Sequence, residues 1–326
     1  MKTIPAADLA RLMGDVLARR GLSAEHASWV VEGLLEASLR GIDTHGVRLF
    51  PTYVAELDGG RSRARPELRW LGRGRAARLL DAGHALGLVA GRVACAEAAR
   101  LAREQGAGAV AVRNSNHFGA AAVYSLAMAR AGVVGLAFSN SDALVAPHNG
   151  LRPLFGTNPV SMAVQGRGDD LFCADFATSQ VSYSKVKRHQ AHGLPLEPGW
   201  VVDGALKPLG GHKGQCLGMM VEILCALLAG MPLDHELSHL YAPPYDEPRR
   251  VSHLFLALDV AAFRDPEELR GELSRLMDTV RSQPAAGAER VIVPGDLEEE
   301  TAALRRVQGI PMDEEEWQAL QRLSGE

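Results

Sequence analysis

A short apolar run that turns at once into an alanine-rich helix constrains this chain more than any other feature. The stretch GAGAVAVRNSNHFGAAAVY covers residues 106–124. Apolar residues 109–112 predict a buried strand, and residues 120–130 predict a helix. Residues 114–119 must turn the chain between the two, so we predict that His117 lies at a strand-to-helix corner.

Such a corner has a chemical use. The first amides of a helix lack partners within the helix and carry the positive end of its dipole, so His117, Phe118 and Gly119 could hold a phosphate or another anion. Gly119 also lets a ligand approach the backbone closely. The alternative is an ordinary turn whose asparagines cap the helix and whose histidine lies on the surface. The local pattern leaves both interpretations open.

Size and charge narrow the class of protein. The chain has 326 residues, of which 47% are hydrophobic, and this suits one large or two ordinary globular domains. Its 35 basic and 39 acidic side chains give a net charge of -4. No large positive field is then available to nucleic acid or to an anionic membrane. We expect neither as a partner, so small-molecule chemistry becomes the default.

The cysteines and the N-terminal residues bear on metal binding and location. No two cysteines are spaced as a metal-binding pair, so we expect no metal site and predict buried, reduced thiols. The first residues, MKTIPAADLARLM, are charged and amphipathic, and no window is long and apolar enough to span a bilayer. We therefore expect a cytoplasmic protein.

Hydrophobic periodicity predicts a mixture of helices and strands. The predicted helices are 5–20, 24–39 with Ser23 as its N-cap, 50–57, 88–105, 120–130, 266–281, 298–308 and 313–323. The predicted strands are 77–80, 109–112, 133–139, 171–175 and 254–260. We further expect a loop or edge ribbon at 59–74, a turn-rich segment at 150–164 and a buried core helix at 214–230. The irregular order favours an α+β fold with a mixed α/β core.

A polar cluster follows the second predicted helix. It contains Asp43, Thr44, His45 and Arg48. A histidine titrates near neutrality, a neighbouring hydroxyl can orient it, and an arginine offers a bidentate fork to a carboxylate, so the cluster suits proton transfer. The alternative is a loop whose Asp43 and Thr44 cap the next helix while Arg48 is solvated.

Four more turns carry polar or small residues. GTNP lies at 156–159 and VPGD at 293–296, while DFATS at 175–179 ends a predicted strand, where small ligands often meet side chains. GGHKG at 210–214 precedes the apolar helix and could bring backbone amides and Lys213 to a phosphate. Neither a Walker nor a Rossmann fingerprint is present, so a nucleotide would need another architecture.

Seven motifs together resemble one family. In chain order, RGIDTHGV, NSNHFGAA, GTNP, DFATS, PGW, PLGGHKG and VPGD are similar to those of the non-Rossmann malate/L-lactate dehydrogenase family. That family also contains ureidoglycolate, sulfolactate and diketogulonate enzymes and reductases of cyclic imino acids such as Δ1-piperideine-2-carboxylate. The resemblance covers most of the chain. It implies a homodimeric oxidoreductase that uses NAD or NADP, with the preference between them left open.

The resemblance also implies a domain organisation and site roles. An α/β core domain, residues 71–264, would bind the cofactor, and a helical domain would form from residues 1–70 with 265–326. His45 would be the acid/base beside Thr44, with His117 as a rival acid, and Arg48 and Thr157 would face the substrate. The implied cofactor-binding residues are His117, Phe118, Gly119, Ala120, Ala121, Asp175, Phe176, Ala177, His212, Lys213, Pro294 and Gly295.

The chain departs from the family pattern in three places. Arg48 lies three residues after His45, whereas many members have the arginine four residues after. Lys185 stands where imino acid reductases tend to have an aspartate, which favours an oxo acid, whereas GGHKG favours an imine. The connection between Asp203 and Gly204 lacks a Pro-Thr-Asp-Pro turn that the family usually carries.

Three functional hypotheses follow from the resemblance. The leading one is an NAD(P)H-dependent oxidoreductase that transfers hydride to the α carbon of a small 2-oxo acid. The alternative within the enzymes is a reductase of cyclic imino acids. The alternative from another class is a catalytically silent homologue that binds a nucleotide.

Overall fold

Helices and strands follow one another irregularly in the computed structural model, which describes residues 2–72 and 74–325. The strands are β1 (Lys2–Ile4), β2 (Arg69–Trp70), β3 (Ala77–Asp81), β4 (Ala107–Ser115), β5 (Val133–Ser139), β6 (Val160–Gln165), β7 (Leu171–Phe176), β8 (Val201–Val202), β9 (Ala205–Leu206), β10 (Val251–Asp259) and β11 (Ile310–Met312). The α-helices are α1 (Ala6–Arg19), α2 (Ala24–Leu39), α3 (Phe50–Asp58), α4 (Gly87–Gln105), α5 (Ala122–Arg130), α6 (Tyr183–Ala191), α7 (His212–Glu222), α8 (Pro266–Arg281), α9 (Asp296–Gln308) and α10 (Glu314–Ser324).

A seven-stranded mixed sheet forms the centre of the fold. Its strand order is β2-β3-β4-β10-β5-β6-β7. β3 and β4 are parallel and are joined through α4, whereas the other neighbours are antiparallel. Because antiparallel and parallel pairs share one sheet and helices flank it, the predicted mixed α/β, α+β fold class is confirmed.

The two ends of the chain meet beside this sheet. β1 pairs with β11 in an antiparallel ribbon, with Thr3 opposite Pro311. α1 packs against α10, and α2 packs against α9. The division into a helical and a core domain stays a prediction. Two contacts cross its predicted boundaries. β2 joins the sheet although it precedes residue 71, and α8 contacts the core where the Ser274 hydroxyl accepts a hydrogen bond from the Arg167 amide.

Most predicted elements lie within three residues of the observed bounds. Ser23 is the N-cap of α2, since its Oγ accepts from the His26 amide at 3.1 Å. The corner has the predicted length but lies two residues later, because β4 continues to Ser115 and α5 begins only at Ala122. The prediction of a turn-rich segment at 150–164 missed β6, and α6 was not predicted at all.

The apolar segment at 214–230 is helical but is not a buried core helix. It consists of α7 followed by a π-helical turn at Ile223–Leu227. Cys225 and Ala226 are buried, whereas about half of the surface of Met220, Ile223 and Leu227 is exposed. The prediction was wrong because an apolar segment shows only that its faces avoid water, not that the same chain covers all of them.

The shortened connection after residue 203 forms a complete β-hairpin. β8 and β9 pair antiparallel across the two residues Asp203 and Gly204. Both have positive φ, at 47° and 81°, which is the type I′ turn that Asp-Gly favours between two strands. The short connection is therefore an unstrained turn, and the chain needs no longer loop here.

The thiols only partly follow the prediction. All four cysteines are free, and three of them are buried, but Cys216 on α7 is exposed. Within residues 2–72 and 74–325, no helix is long and apolar enough to cross a membrane. The same residues contain no group of three or more His, Cys, Asp or Glu side chains placed to bind a metal ion.

The packing of α4 on β4 predicts a stability effect. A Cβ at Gly108 would collide with the Ala98 carbonyl oxygen of α4, whereas a Cβ at Gly14 of α1 would meet no atom within 4 Å. We expect Gly108→Ala to lower the free energy of unfolding by roughly 1–3 kcal/mol through overpacking. The matched control Gly14→Ala should raise it by about 0.5–1 kcal/mol, because alanine loses less backbone entropy. Urea unfolding measures both, and equal effects would contradict this packing.

Candidate functional site

A single cavity of about 590 Å³ collects most of the predicted site residues. Its walls come from the segment after α2, the corner between β4 and α5, the carboxyl end of β7 and the loop before α9. The predicted residues that line it are Thr44, His45, His117, Gly119, Ala120, Ala121, Thr157, Asp175, Phe176, Ala177, Pro294 and Gly295. Segments far apart in sequence therefore converge on one space.

Two imidazoles lie side by side in this cavity. The rings of His45 and His117 are stacked, with centroids 5.6 Å apart and planes inclined by 26°. His45 belongs to a single turn of 3₁₀ helix after α2, and His117 lies at the predicted corner before α5. Two histidines 72 residues apart in the chain can thus act on one ligand.

The protonation of His117 follows from its hydrogen bonds. Its Nδ1 accepts from the Gly119 amide at 3.3 Å and lies 2.7 Å from the Tyr53 hydroxyl. An imidazole nitrogen that accepts from an amide carries no proton, so the ring proton is on Nε2. Burial, and then the charges of His45 and Arg249, hold the pKa of His117 well below its usual range. His117 is therefore a neutral imidazole with one N–H to offer.

His45 is held by its neighbour in sequence. The Thr44 hydroxyl lies 2.9 Å from His45 Nδ1, so the predicted contact between hydroxyl and imidazole is present. Burial lowers the pKa of His45 to about 4. Both imidazoles are therefore neutral near pH 7, and a bound anion would be needed to favour a protonated ring.

The start of α5 offers free backbone amides to the cavity. The carboxylate of Asp175, at the end of β7, accepts a hydrogen bond from the Ala122 amide at 2.8 Å and so caps α5 from another strand. Burial raises the pKa of Asp175 to about 6. Within the described residues, the amides of Ala120 and Ala121 donate to no other group. Two unpaired N–H groups at a helix start suit an anion or a carbonyl oxygen.

Neither asparagine of the corner caps α5. The Asn114 amide donates to both carboxylate oxygens of Asp81 at 3.0 Å. The Asn116 amide donates to the Ser62 hydroxyl at 2.8 Å. Both side chains thus fix the corner from outside the cavity, which disfavours the ordinary-turn interpretation.

Four predicted site residues do not reach the cavity. Phe118 is buried behind it and stacks on His253, with ring centroids 4.5 Å apart. His212 and Lys213 begin α7 outside the set of lining residues. Arg48 points to α10, where its Nε lies 2.8 Å from Glu316 Oε1. The predicted contacts of these four with substrate or cofactor therefore have no support in the geometry of a single chain.

Sequence reasoning missed several residues that line or support the cavity. Leu49, four residues after His45, lines the cavity in place of Arg48. Tyr53 fixes His117 from α3, and the sequence held no signal that joins them. The missed lining residues also include Arg40, Ile42, Asp142, Tyr183, His239, Tyr241 and Glu298. The stretch SHLYAPPY at 238–245, dense in ring-bearing side chains, was a signal that could have found two of them.

Ion pairs fasten the segment that carries His45 to the C-terminal helices. Asp43 accepts from Arg305 of α9 through both carboxylate oxygens, at 2.5 and 3.0 Å. Arg40, buried at the cavity wall, pairs with Glu299 of the same helix. Its Nε and one Nη are buried without a hydrogen-bond partner among the described residues. The cavity wall therefore depends on contacts between the two ends of the chain.

Comparison with known proteins decides the family. The sequence model of the malate/L-lactate dehydrogenase family matches residues 4–321. The malate dehydrogenase of Pyrococcus abyssi is 32% identical over an alignment of 332 positions, which covers 95% of this chain and 90% of that protein. The chain belongs to the malate/L-lactate dehydrogenase family.

Solved structures of the family superpose closely. The sulfolactate dehydrogenase of Methanocaldococcus jannaschii gives a TM-score of 0.94 at 25% identity and covers 99% of this chain and 97% of that one. The Δ1-piperideine-2-carboxylate reductase of Pseudomonas syringae pv. tomato gives 0.86 at 28% identity, with 99% and 100% covered. The predicted family and its dehydrogenase class are therefore confirmed.

Two of the three departures from the family pattern now have a location. The Lys185 ammonium lies 4.6 Å from the centre of the Trp200 ring and is not among the residues that line the cavity. The short connection after residue 203 is the hairpin described above. The shifted arginine is the departure that changes the cavity, because it leaves Leu49 in the wall.

The lowered pKa of His45 predicts a pH-dependent cost in stability. The unfolded imidazole binds a proton near pH 6.5 and the folded one only near 4, so acidification stabilises the unfolded state between these values. When the pH falls from 7 to 5, we expect the free energy of unfolding of His45→Gln to rise by about 1–2 kcal/mol relative to that of the parent protein. The control His192→Gln alters an exposed imidazole on the surface. Urea unfolding at both pH values measures this, and parallel pH slopes for parent and His45→Gln would contradict it.

Proposed function

We propose that this chain is an NAD(P)H-dependent oxidoreductase that reduces the α carbon of a small 2-oxo acid. The observation that carries the proposal is the pair of stacked imidazoles, His45 and His117, in one cavity with the unpaired amides at the start of α5. A reduced oxo group needs a proton donor, and a phosphate or carboxamide needs N–H groups. Both needs are met within the same space.

The cavity fits a nicotinamide nucleotide. Its volume of about 590 Å³ is in the range of roughly 300–1,000 Å³ that ligand and cofactor sites occupy. The amides of Ala120 and Ala121 are available to it, and Gly295 lines the wall where a Cβ would approach the Leu171 carbonyl oxygen to 3.1 Å. We assign binding to these residues together with Asp175 and Pro294. When bound, the nicotinamide supplies the hydride.

His117 orients the oxo group in this proposal. Its Nε2 proton is fixed by the contacts of Nδ1 with Gly119 and Tyr53, so the ring can donate a hydrogen bond to the oxygen that gains negative charge. Tyr53 is then a positioning residue. Because Arg249 adds to the cost of charging His117, this ring is the poorer carrier of a transferable proton.

His45 is the proton donor in this proposal. Burial is the cause of its lowered pKa, and a nearby substrate carboxylate would raise that pKa again by favouring the imidazolium. Proton uptake then accompanies substrate binding, and His45 returns to the neutral form after it protonates the product oxygen. Thr44 keeps the ring in place through its hydroxyl.

Reduction of a cyclic imino acid is the second candidate. The similarity to the Δ1-piperideine-2-carboxylate reductase of Pseudomonas syringae pv. tomato supports it. The same two histidines would then serve a carbon–nitrogen double bond. No side chain in the described part of the cavity wall separates the two substrates by its charge alone.

We propose that the protein is a homodimer through the exposed face of α7 and the turn after it. Met219, Met220, Ile223, Leu227 and Leu228 are all at least 42% exposed and follow one another on one short segment. A contiguous apolar patch of this kind is typical of an interface, and a second copy is the occupant that the family resemblance implies.

Substrate and histidine roles can be tested together. With NADH and NADPH in turn, we expect oxidation of the cofactor by pyruvate rather than by Δ1-piperideine-2-carboxylate. His45→Gln and His117→Gln should each lower kcat by a factor of roughly 100 or more, because general acid catalysis and oxyanion stabilisation are lost. Binding of the cofactor, measured by fluorescence, should persist in both variants.

The control for these variants is His192→Gln at the exposed C-cap of α6, which should keep the full rate. Cofactor binding without turnover of either substrate would support the silent homologue instead. Turnover of the cyclic imine alone would support the second candidate.

The dimer proposal predicts the effect of a charge on the exposed face. Ile223→Glu should shift the protein from dimer to monomer in sedimentation velocity, because a carboxylate cannot be buried there without a partner. Phe263→Glu, which changes an exposed apolar side chain elsewhere, should leave the dimer intact. A monomeric parent protein would refute the assignment.

A further inference from the structure

We propose that the substrate carries a single carboxylate and an uncharged substituent, and that Leu49 sets this specificity. The inference rests on the proposed function and narrows its substrate class. It arises from three features of the cavity: the side chain four residues after His45, the balance of charges in the wall, and the hydroxyl-bearing side chains of the wall.

Leu49 faces the cavity, and Arg48, which was expected to face the substrate, points away from it. Both lie in the short 3₁₀ turn Val47–Leu49 between His45 and α3. Leu49 is 3% exposed and lines the cavity, whereas Arg48 leaves it to pair with Glu316 of α10. Neighbours on a 3₁₀ helix point about a third of a turn apart, so both side chains cannot face the ligand. The wall beside the imidazoles is therefore aliphatic.

The charged side chains of the wall disfavour binding of a second anionic group. Among the described residues that line the cavity, the carboxylates are Asp142, Asp175 and Glu298, and the only Lys or Arg side chain is Arg40. Arg40 pairs with Glu299 and lies near Asp175, where burial raises the pKa of the carboxyl to about 6 and the charge of Arg40 offsets a small part of that rise. The Nε and second Nη of Arg40 have no hydrogen-bond partner among the described residues, but both atoms are buried away from the cavity. The described lining therefore offers no accessible, unpaired cation to a second acidic group of the substrate.

Asp142 lines the cavity, and its carboxylate is part of a buried ion pair. The buried Arg249 behind it is bound to this carboxylate and to the Ser238 carbonyl oxygen. Arg249 is close enough to His117 to lower the pKa of that ring, but it is not a lining residue. The Asp142 carboxylate already takes up the charge of Arg249, so this pair offers no free cation to a distal carboxylate or sulfonate of a substrate.

One carboxylate can be held by neutral donors. The hydroxyl-bearing Thr157, Tyr183 and Tyr241 line the same cavity as the imidazoles. His239 also lines the cavity; its Nδ1 accepts from the Tyr241 amide at 3.2 Å, and its Nε2 lies 3.7 Å from Asp142 Oδ2. These donors suit one anionic group, and Leu49 suits an apolar substituent on the same substrate.

The substrate preference tests the inference. We expect kcat/KM of the parent protein to be higher for 2-oxobutyrate than for oxaloacetate or sulfopyruvate by a factor of roughly 10 or more, because only the last two bring a second anion. Leu49→Arg should shift the ratio toward oxaloacetate by a similar factor. Arg48→Leu, which removes the contact with Glu316 outside the cavity, should leave the ratio unchanged.

A binding measurement makes the test independent of turnover. Oxamate carries one carboxylate and hydroxymalonate two, and neither is reduced. In the presence of NADH, oxamate should raise the Tm of the parent protein more than hydroxymalonate does. Leu49→Arg should make the Tm shifts caused by the two ligands more similar. If that variant does not fold, Leu49→Gln should have the same effect.

Equal or better use of oxaloacetate, or tighter binding of hydroxymalonate by the parent, would overturn the role of Leu49. Loss of the proposed function looks different. In that case no 2-oxo acid oxidises the cofactor, while the order of oxamate and hydroxymalonate still decides between one and two carboxylates.

Discussion

The hydrogen bond between Tyr53 and His117 is the contact on which the rest of the site depends. It joins α3, from the N-terminal part of the chain, to the corner that precedes α5 in the core. The Nδ1 of His117 in this contact also accepts a hydrogen bond from the Gly119 amide, and because that nitrogen therefore carries no proton, the ring proton of His117 is on Nε2. A single ring thereby acquires a fixed direction and a fixed protonation state before any ligand enters.

The cavity exists only because distant segments are held against one another. The turn with His45 is fastened to α9 by the pair of Asp43 and Arg305, and the ribbon of β1 and β11 brings the two ends of the chain together. Burial within this arrangement lowers the pKa of His45 and raises that of Asp175. The electrostatic character of the site is therefore a property of the assembled fold and not of its motifs.

Local patterns predicted the elements well where periodicity and caps agree. Ser23 marks the start of α2, and the apolar run at Val133–Ser139 is a strand with those bounds. Prediction failed where burial depends on partners. β6 lies among turn residues and becomes a strand because β5 and β7 flank it. The π-helical turn after α7 exposes Ile223 because no element of the described chain packs over this side chain.

The sequence by itself determined the family, the mixed α/β class and the two imidazoles, because these follow from local motifs and residue types that the chain carries in order. Only the tertiary structure decided which neighbours reach the ligand. Arg48 and Leu49 are adjacent in sequence, yet the 3₁₀ turn directs one to Glu316 and the other into the cavity. Tyr53 likewise meets His117 through folding alone. Direction and contact depend on backbone geometry and packing between distant segments, which a linear motif does not contain.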